Sequence, residues 1–170
     1  MFPIELKSSR FTIRPYCRTD EDRFIEMVMD GVSTEFMGGA TGVESEEREV
    51  FRKIFQIYDE TIGKPFWIWG IYNGDALFGH LELKETEHTN EDELEIVSMV
   101  HPECRRIGVM TEILSLIKMN EMIWNKRIVA TVSADNAVSL RMLEKWGIDS
   151  REIIIDEETD EEFLKLLLAR

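Results

Sequence analysis

The chain has 170 residues, of which 44% are hydrophobic and 32% are charged, a balance typical of one soluble globular domain and unlike that of a disordered chain. Its 34 acidic residues against 20 Lys and Arg give a formal net charge of -14, which repels nucleic acid and anionic lipid and favours cationic partners, although acidity also serves solubility alone. No apolar stretch approaches the ~20 residues of a membrane span and the N-terminus has no signal-peptide pattern, so we expect a cytoplasmic protein without membrane or nucleic-acid partners.

The first half of the chain combines strand and helix patterns. Apolar and polar residues alternate before Pro15, which favours a short strand, and Thr19 with Asp22 forms a shortened capping box at the start of a helix. A broad apolar stripe after Ser45 indicates a second helix, and the Asn-Gly pair at 73–74 favours a tight hairpin between two antiparallel strands. The predicted elements are a strand at 11–14, a helix from Thr19, a loop over 31–42, a helix from Ser45 to near Gly63 and Pro65, and strands at 66–72 and 76–83.

The second half adds a third strand to this sheet and then alternates helix with strand. Pro102 stops that strand, Asn136 starts the last helix and Gly147 closes it. Six acidic residues among the seven at 156–162 indicate a solvated loop between two final strands that can pair. The predicted elements are a strand at 94–100, a helix at 107–124, a strand at 128–133, a helix from Asn136 to Trp146, and strands at 153–155 and 163–168. This order predicts an α/β layered domain with one mixed sheet and no internal boundary.

The segment from Met99 to Glu112 is the most informative for function. A buried strand ends here, a short loop with Arg105 and Arg106 follows, and a helix begins with Gly108 in its first turn. Free amide groups at a helix N-terminus, reinforced by the helix dipole, bind phosphate, and glycine lets a ligand approach the backbone closely. By itself this arrangement fits an anion site and an ordinary helix start equally well.

Residues 105–110 also match the pyrophosphate-binding pattern of one protein family, which reads Gln or Arg, two residues, Gly, one residue, then Gly or Ala. The chain thereby resembles the GNAT family of N-acetyltransferases, in particular its branch of ribosomal-protein N-terminal acetyltransferases. Met110 replaces the final small residue. Either the loop lies further from the pyrophosphate, or the Met110 side chain turns into the core.

Three further segments resemble the same branch in order and spacing. Arg10 to Pro15 is similar to its opening strand, and Glu95 to Pro102 is similar to its central strand. Asn136 to Ile148 is similar to its Asn-x-x-Ser and Glu-Lys-x-Gly motif, with Ile148 where Phe is usual. The resemblance covers nearly the whole chain and is weakest over 31–64.

The resemblance implies a single acetyltransferase domain over residues 1–170. Its fold would be α/β, a mixed and mostly antiparallel sheet of about seven strands flanked by about four helices, with splayed parallel strands at the centre. The splayed strands would be those ending at Val100 and Ser133, and acetyl-CoA would lie between them, its pantetheine pairing with backbone near Met99 and Val100. Asn136 would contact the cofactor arm, a role that can coexist with that of a helix N-cap. The residues implied in cofactor binding are Met99, Val100, Arg105, Arg106, Ile107, Gly108, Val109, Met110 and Asn136.

The resemblance also implies how acetyl transfer would run. Glu95 stands where the branch has a glutamate, and its carboxylate could take a proton from the incoming ammonium through a water, or only attract the cation or pair with an arginine. Many relatives protonate the departing sulfur with a tyrosine, but that position is Leu143 here. Ser139 is the remaining candidate donor, unless it is simply a small polar residue in the first helical turn. A backbone amide near Met99 or Val100 could hold the oxyanion.

We therefore expect an N-acetyltransferase that transfers an acetyl group from acetyl-CoA to a primary amine by direct attack in a ternary complex. The acceptor would be a protein N-terminal α-amine or a small cationic amine, possible forms being a peptide or a small polycation. An α-amine is the easier substrate because its pKa is about 7.7 to 8.0, against about 10.4 for a lysine-like amine. Relatives often dimerise, so a homodimer is a further expectation.

Two other readings stay open at this stage. Met110 and Leu143 would suit a catalytically idle acyl-CoA-binding sensor. A nucleotide-binding or purely structural domain is disfavoured, because the chain lacks a Gly-x-x-x-x-Gly-Lys loop and a Gly-x-Gly-x-x-Gly turn.

Met, Trp and Phe residues between Phe36 and Trp69 could line an acceptor pocket or pack the core. We expect reduced thiols and no metal site, since neither the cysteines nor the histidines have ligand spacing; these are Cys17, Cys104, His80, His88 and His101.

Overall fold

The computed structural model describes residues 4–36, 41–60, 66–156 and 160–169. Within these ranges eight strands form one sheet: β1 (Leu6–Lys7), β2 (Thr12–Arg14), β3 (Trp67–Asn73), β4 (Ala76–Lys84), β5 (Glu93–Val100), β6 (Arg127–Ser133), β7 (Ile148–Ile155) and β8 (Glu162–Leu168). The helices are α1 (Glu21–Val28), α2 (Gly31–Thr34), α3 (Glu44–Glu60), α4 (Val109–Met119), α5 (Glu121–Trp124) and α6 (Ala137–Trp146). None of the helices in these ranges is both long enough and apolar enough to cross a membrane.

The sheet has the strand order β1-β2-β3-β4-β5-β6-β8-β7 and contains one parallel pair, β5 with β6, among the described strands. That pair joins only three residues of each strand, from Glu93 opposite Arg127 to Glu95 opposite Val129. β5 then continues to Val100 while still paired with β4. β6 continues separately, paired with β8. The expected mixed sheet with splayed parallel strands at its centre is therefore confirmed, and a gap opens between the C-terminal halves of β5 and β6.

Both faces of the sheet are covered by helices, because successive residues of a strand point to opposite faces. Trp69 and Ile71 of β3 pack in the core beneath α4 and α6. Ile68 and Tyr72 of the same strand pack in a second core beneath α1 and α3. Phe51, Trp67 and Trp69 are all buried in these two cores, so packing accounts for these large side chains between Phe36 and Trp69.

Several element boundaries differ from the sequence prediction. α1 begins at Glu21 and not at Thr19, because a 3-10 turn over Arg18–Asp20 precedes it and the Asp20 carboxylate accepts a hydrogen bond from the Cys17 amide at 2.7 Å. The predicted loop over 31–42 contains α2, whose N-terminus is capped by the Asp30 carboxylate. The predicted end of the second helix near Gly63 and Pro65 lies outside the described residues, as do 157–159 of the acidic turn.

The second half of the chain shows two further differences. The predicted helix at 107–124 is broken at Asn120, whose side-chain amide donates to the Leu116 carbonyl at 2.8 Å and so ends α4 before α5 begins. β7 starts directly after Gly147 and is longer than the predicted strand at 153–155. It pairs with β8 as expected, and β8 lies between β6 and β7 in the sheet.

Candidate functional site

The gap between β5 and β6 exposes the backbone of β5 on one side. His101 N donates to Phe78 O on β4 at 2.9 Å. Because residues of an antiparallel pair alternate in direction along the strand, the N–H and C=O of Met99 point to β4, and those of Val100 point into the gap. The position of Gly79 agrees with this, since a Cβ atom on it would lie 2.6 Å from the Met99 carbonyl oxygen. Of the two predicted residues, Val100 therefore has the backbone groups that a ligand in the gap can reach.

A loop with unusual backbone geometry lies where β5 leads into α4. Arg106 has φ 65° and Gly108 has φ 83°, both in the left-handed region. α4 makes its first internal hydrogen bond from Glu112 N to Gly108 O at 3.2 Å. The backbone N–H groups of 106–110 donate to no group within the described residues. A row of free amides at a helix N-terminus is the arrangement that binds phosphate.

The two arginines of this loop have different surroundings. Arg105 Nη2 is hydrogen-bonded to the Asp30 carboxylate, and it lies 2.5 Å from Ser33 Oγ. This hydrogen bond from Arg105 lowers the pKa of Asp30. The side chain of Arg106 is exposed and pairs with no group of the described residues. Arg106 can therefore bind an anion without first breaking another contact, whereas Arg105 connects the loop to Asp30 and Ser33 at α2.

Met110, which stands where the pyrophosphate-binding pattern has Gly or Ala, packs its side chain in the core. Met110 and its neighbour Val109 are the first residues of α4 and are buried in the cluster that also contains Ile113, while Ile107 is about half exposed. Of the two alternatives raised by the sequence, the Met110 side chain takes the second and turns into the core. It therefore does not cover the free amides of the loop.

Replacing Met110 with alanine is expected to reduce the free energy of unfolding by about 3 kcal/mol, because it removes a buried side chain and leaves a cavity. The dissociation constant for CoA should stay within about two-fold of the wild-type value, since the side chain faces away from the loop. Urea unfolding and calorimetry measure the two effects. Met119→Ala, at an 82% exposed position of the same helix, serves as the control. A stable Met110→Ala protein with weakened CoA binding would contradict this interpretation.

The start of α6 presents polar groups close to the C-terminal end of β6. Asn136 Oδ1 accepts a hydrogen bond from Ser139 N at 3.1 Å and caps the helix. The Asn136 side-chain NH2 and the Ser139 hydroxyl have no partner within the described residues, so both stay available to a ligand. Leu143, where many relatives have tyrosine, is buried in the core beneath α4 and α6.

Glu95 is the last residue of β5 that pairs with β6, so it lies at the point where the gap between the two strands begins. It is 8% exposed, and its Oε2 accepts a hydrogen bond from Thr86 Oγ1 at 2.6 Å. No arginine of the described residues pairs with it. Across the gap, Thr131 of β6 lies two residues beyond the partner of Glu95 and therefore on the same face. Its hydroxyl is buried and unpaired within the described residues. A carboxylate and an unpaired hydroxyl thus share this face with the neutralised pair of Glu93 and Lys165, whose charged atoms are 2.7 Å apart.

A buried polar chain on the same face of β4 was missed by the sequence analysis, which gave His80 no role. His80 Nδ1 lies 2.8 Å from the Tyr16 hydroxyl, and His80 Nε2 lies 3.1 Å from Glu82 Oε1. Burial opposes the charge on Glu82, but His80 and Lys84 outweigh it and lower the pKa of Glu82 to about 2. Burial also raises the pKa of Tyr16 well above its usual range. The alternation of His80, Glu82 and Lys84 on one strand face was the available signal.

The histidines and cysteines do not form a metal centre in the described ranges. No group of three or more His, Cys, Asp and Glu residues is placed to hold a metal ion there. His101 instead accepts a hydrogen bond from the Glu103 amide at 3.3 Å, and both cysteines are free thiols.

Comparison with known proteins adds independent evidence on the family and the fold of the chain. A model of the acetyltransferase (GNAT) domain matches residues 10–149. The chain is similar in structure to the GNAT-family acetyltransferase from Bacillus anthracis, with a TM-score of 0.75 at 20% identity over 97% of this chain and 98% of the other. It is similar to Mycobacterium smegmatis RimJ in complex with CoA-disulfide, with a TM-score of 0.77 at 15% identity over 99% and 90%.

A third similar structure is the Salmonella typhimurium acetyl transferase that modifies the N-terminal serine of ribosomal protein L7/L12. Its TM-score is 0.76 at 13% identity, over 98% of this chain and 100% of the other. Identities this low show the shared fold alone. A search of curated proteins gives no match.

Proposed function

The chain belongs to the GNAT acetyltransferase family, and on that premise we propose that it transfers an acetyl group from acetyl-CoA to a primary amine by direct attack in a ternary complex. One observation carries this proposal. The free amides of 106–110 lie where β5 leads into α4, beside a gap that the sheet leaves between β5 and β6. Phosphate at the amides and an extended arm in the gap together fit one ligand, a thioester of CoA.

The residues present fit such a ligand along its length. The loop amides and the exposed Arg106 would bind the diphosphate. The Val100 carbonyl would accept a hydrogen bond from the pantetheine arm, which lies along β5 as an added strand, and the free side-chain NH2 of Asn136 would donate to the same arm. Bound acetyl-CoA supplies the electrophilic carbonyl of the reaction.

The acceptor amine would approach from the face of the sheet that carries Glu95. An amine arrives mostly as its ammonium ion at neutral pH, so a proton must leave before attack. The Glu95 carboxylate would take this proton, directly or through a water. The unpaired Thr131 hydroxyl would gain a partner when the acceptor binds, which removes the cost of leaving it unsatisfied.

An N-terminal α-amine is the acceptor we favour. It loses its proton more readily than a lysine-like amine, and the structurally similar Salmonella enzyme modifies an N-terminal serine. A net charge of -14 attracts a cationic peptide or a small polycation.

Two groups would stabilise the negative charges that develop during formation and collapse of the tetrahedral intermediate. The Val100 N–H points into the gap and would stabilise the oxyanion. The Ser139 hydroxyl has no partner in the described residues and would donate a hydrogen bond to the departing thiolate. The side chain of Leu143 is buried in the core and has no hydrogen-bond donor, so position 143 cannot protonate the departing sulfur.

Replacing Ser139 with alanine is expected to lower kcat about ten-fold, the effect of losing one hydrogen bond to a charged group. The KM for acetyl-CoA should change little, because the hydroxyl acts on the leaving sulfur. Steady-state kinetics test both values. The control is Ser115→Ala, which removes a hydroxyl bonded only to the Thr111 carbonyl within α4. Unchanged turnover in Ser139→Ala would remove this residue from the mechanism.

The experiment that tests the function uses the purified protein, acetyl-CoA and a panel of peptides, polyamines and aminoglycosides. Release of free thiol, together with a mass increase of one acetyl group on the acceptor, supports the proposal. The absence of thiol release with every acceptor of the panel contradicts it. Thermal stabilisation by CoA without turnover would instead favour an acyl-CoA-binding sensor, a function to which the core position of Leu143 is suited.

A further inference from the structure

We propose that Arg10, held in place by Glu112, is a positioning residue for the amides that bind the diphosphate of CoA, an inference that rests on the proposed function. Arg10 lies in the connection between β1 and β2, and Glu112 lies in the first turn of α4. The two residues are 102 positions apart in the chain. Their contact joins the edge of the sheet to the phosphate-binding loop.

The Arg10 guanidinium contacts both the loop and the helix. Its Nη1 donates to the Ile107 carbonyl at 2.9 Å, and its Nε donates to Glu112 Oε2 at 2.7 Å. A Cβ atom added to Gly108 would lie 3.3 Å from Arg10 Nη2. The fork of the guanidinium therefore spans the point where the loop turns into α4.

Glu112 is itself fixed by several donors. Its Oε1 accepts hydrogen bonds from the hydroxyls of Ser8 and Ser9 at 2.6 and 2.9 Å and from the Arg10 amide at 2.8 Å. Partial burial raises the pKa of Glu112, but these hydrogen bonds and that of the guanidinium lower it to about 2. The carboxylate is thus a permanent anion at neutral pH and holds Arg10 in one orientation.

The Ile107 carbonyl is the group through which Arg10 acts. In a trans peptide the C=O of one residue and the N–H of the next point in opposite directions. Holding the Ile107 carbonyl toward Arg10 therefore turns the Gly108 N–H to the opposite side of the loop, where it donates to no described residue. Ile107 lies between the two left-handed residues Arg106 and Gly108, and this strained stretch needs such an external contact to keep its amides aligned.

Folding stability accounts for the Glu112 end of this ion pair but not for the Arg10 end. Glu112 is 18% exposed, and its lowered pKa means that the carboxylate stabilises the folded state at neutral pH. The Arg10 side chain is 48% exposed, and exposed charges contribute little to folding. Loss of the Arg10 guanidinium should therefore leave the fold intact and disturb the loop.

The test compares two acyl donors, acetyl-CoA and acetyl-pantetheine, of which only the first has a diphosphate. In Arg10→Gln and Glu112→Gln we expect kcat/KM to fall about ten-fold with acetyl-CoA, as for the loss of a charged hydrogen bond, and to stay unchanged with acetyl-pantetheine. Arg10→Lys keeps the charge but not the fork, so it should show the same selective loss. Arg151→Gln is the matched control, because its ion pair with Glu144 is also exposed, at 50% for each side chain.

The outcomes separate this inference from the proposed function. An equal loss with both donors, or no loss with acetyl-CoA, overturns the positioning role of Arg10 while wild-type turnover still supports the function. A wild-type protein that neither binds CoA nor transfers acetyl overturns the proposed function and the inference with it. Thermal unfolding of the Arg10 variants, expected to match that of Arg151→Gln, excludes misfolding as the source of a selective loss. Glu112→Gln is expected to unfold at a lower temperature, because it lacks the carboxylate with the lowered pKa.

Discussion

Replacing Gly108 with valine is expected to weaken CoA binding about 100-fold, which corresponds to about 2.8 kcal/mol. Gly108 has φ 83°, a conformation in which a β-branched residue is strained by about 1 to 3 kcal/mol. The added side chain would also press on Arg10 Nη2, 3.3 Å from its Cβ position. Relief of either conflict rotates the peptide whose N–H we assign to the diphosphate.

The control for this variant is Gly74→Val. Gly74 has a comparable φ of 58° in the hairpin between β3 and β4, and an added Cβ atom there meets nothing within 4 Å. Both variants should lose folding stability, but only Gly108→Val should lose CoA binding in a calorimetric titration. Wild-type affinity in Gly108→Val would show that the loop does not bind the cofactor.

Replacing Glu95 with glutamine is expected to lower kcat about 100-fold at neutral pH, within the usual range for removal of a general base. With a peptide α-amine as acceptor the deficit should shrink as the pH rises past about 8, because the amine then loses its proton to the solvent. A pH series of kcat for the variant and the wild type measures this convergence.

Glu87→Gln is the control for Glu95, since Glu87 lies in the connection between β4 and β5 and its side chain is 82% exposed. A deficit that stays constant over the whole pH series would show that Glu95 does not accept the proton. A rise in the KM for the amine with kcat unchanged would mean that the carboxylate only attracts the cation.

Local signals predicted much of the fold. The Asn-Gly pair at 73–74 placed the hairpin correctly, because β3 ends at Asn73 and β4 begins at Ala76. The break at Asn120 was missed, since the apolar periodicity continues through it and only the side-chain bond to Leu116 interrupts the helix. β1 was also missed because two residues carry no pattern.

The candidate site was only partly readable. The loop and Gly108 follow from local sequence, and the splayed strands follow from the family resemblance. The directions of the N–H and C=O groups of Met99 and Val100 depend on the register between β5 and β4, and the sequence of β5 alone does not determine that register. Contacts between distant residues were equally hidden, among them that of Arg10 with Glu112 and that of Arg105 with Asp30.

The most direct test of the whole account is amide hydrogen exchange of residues 106–110 with and without CoA. These N–H groups donate to no described residue of the protein, so they should exchange rapidly alone and become protected when CoA is added, with pantetheine giving much weaker protection. Unchanged exchange at these amides in the presence of saturating CoA would contradict the account.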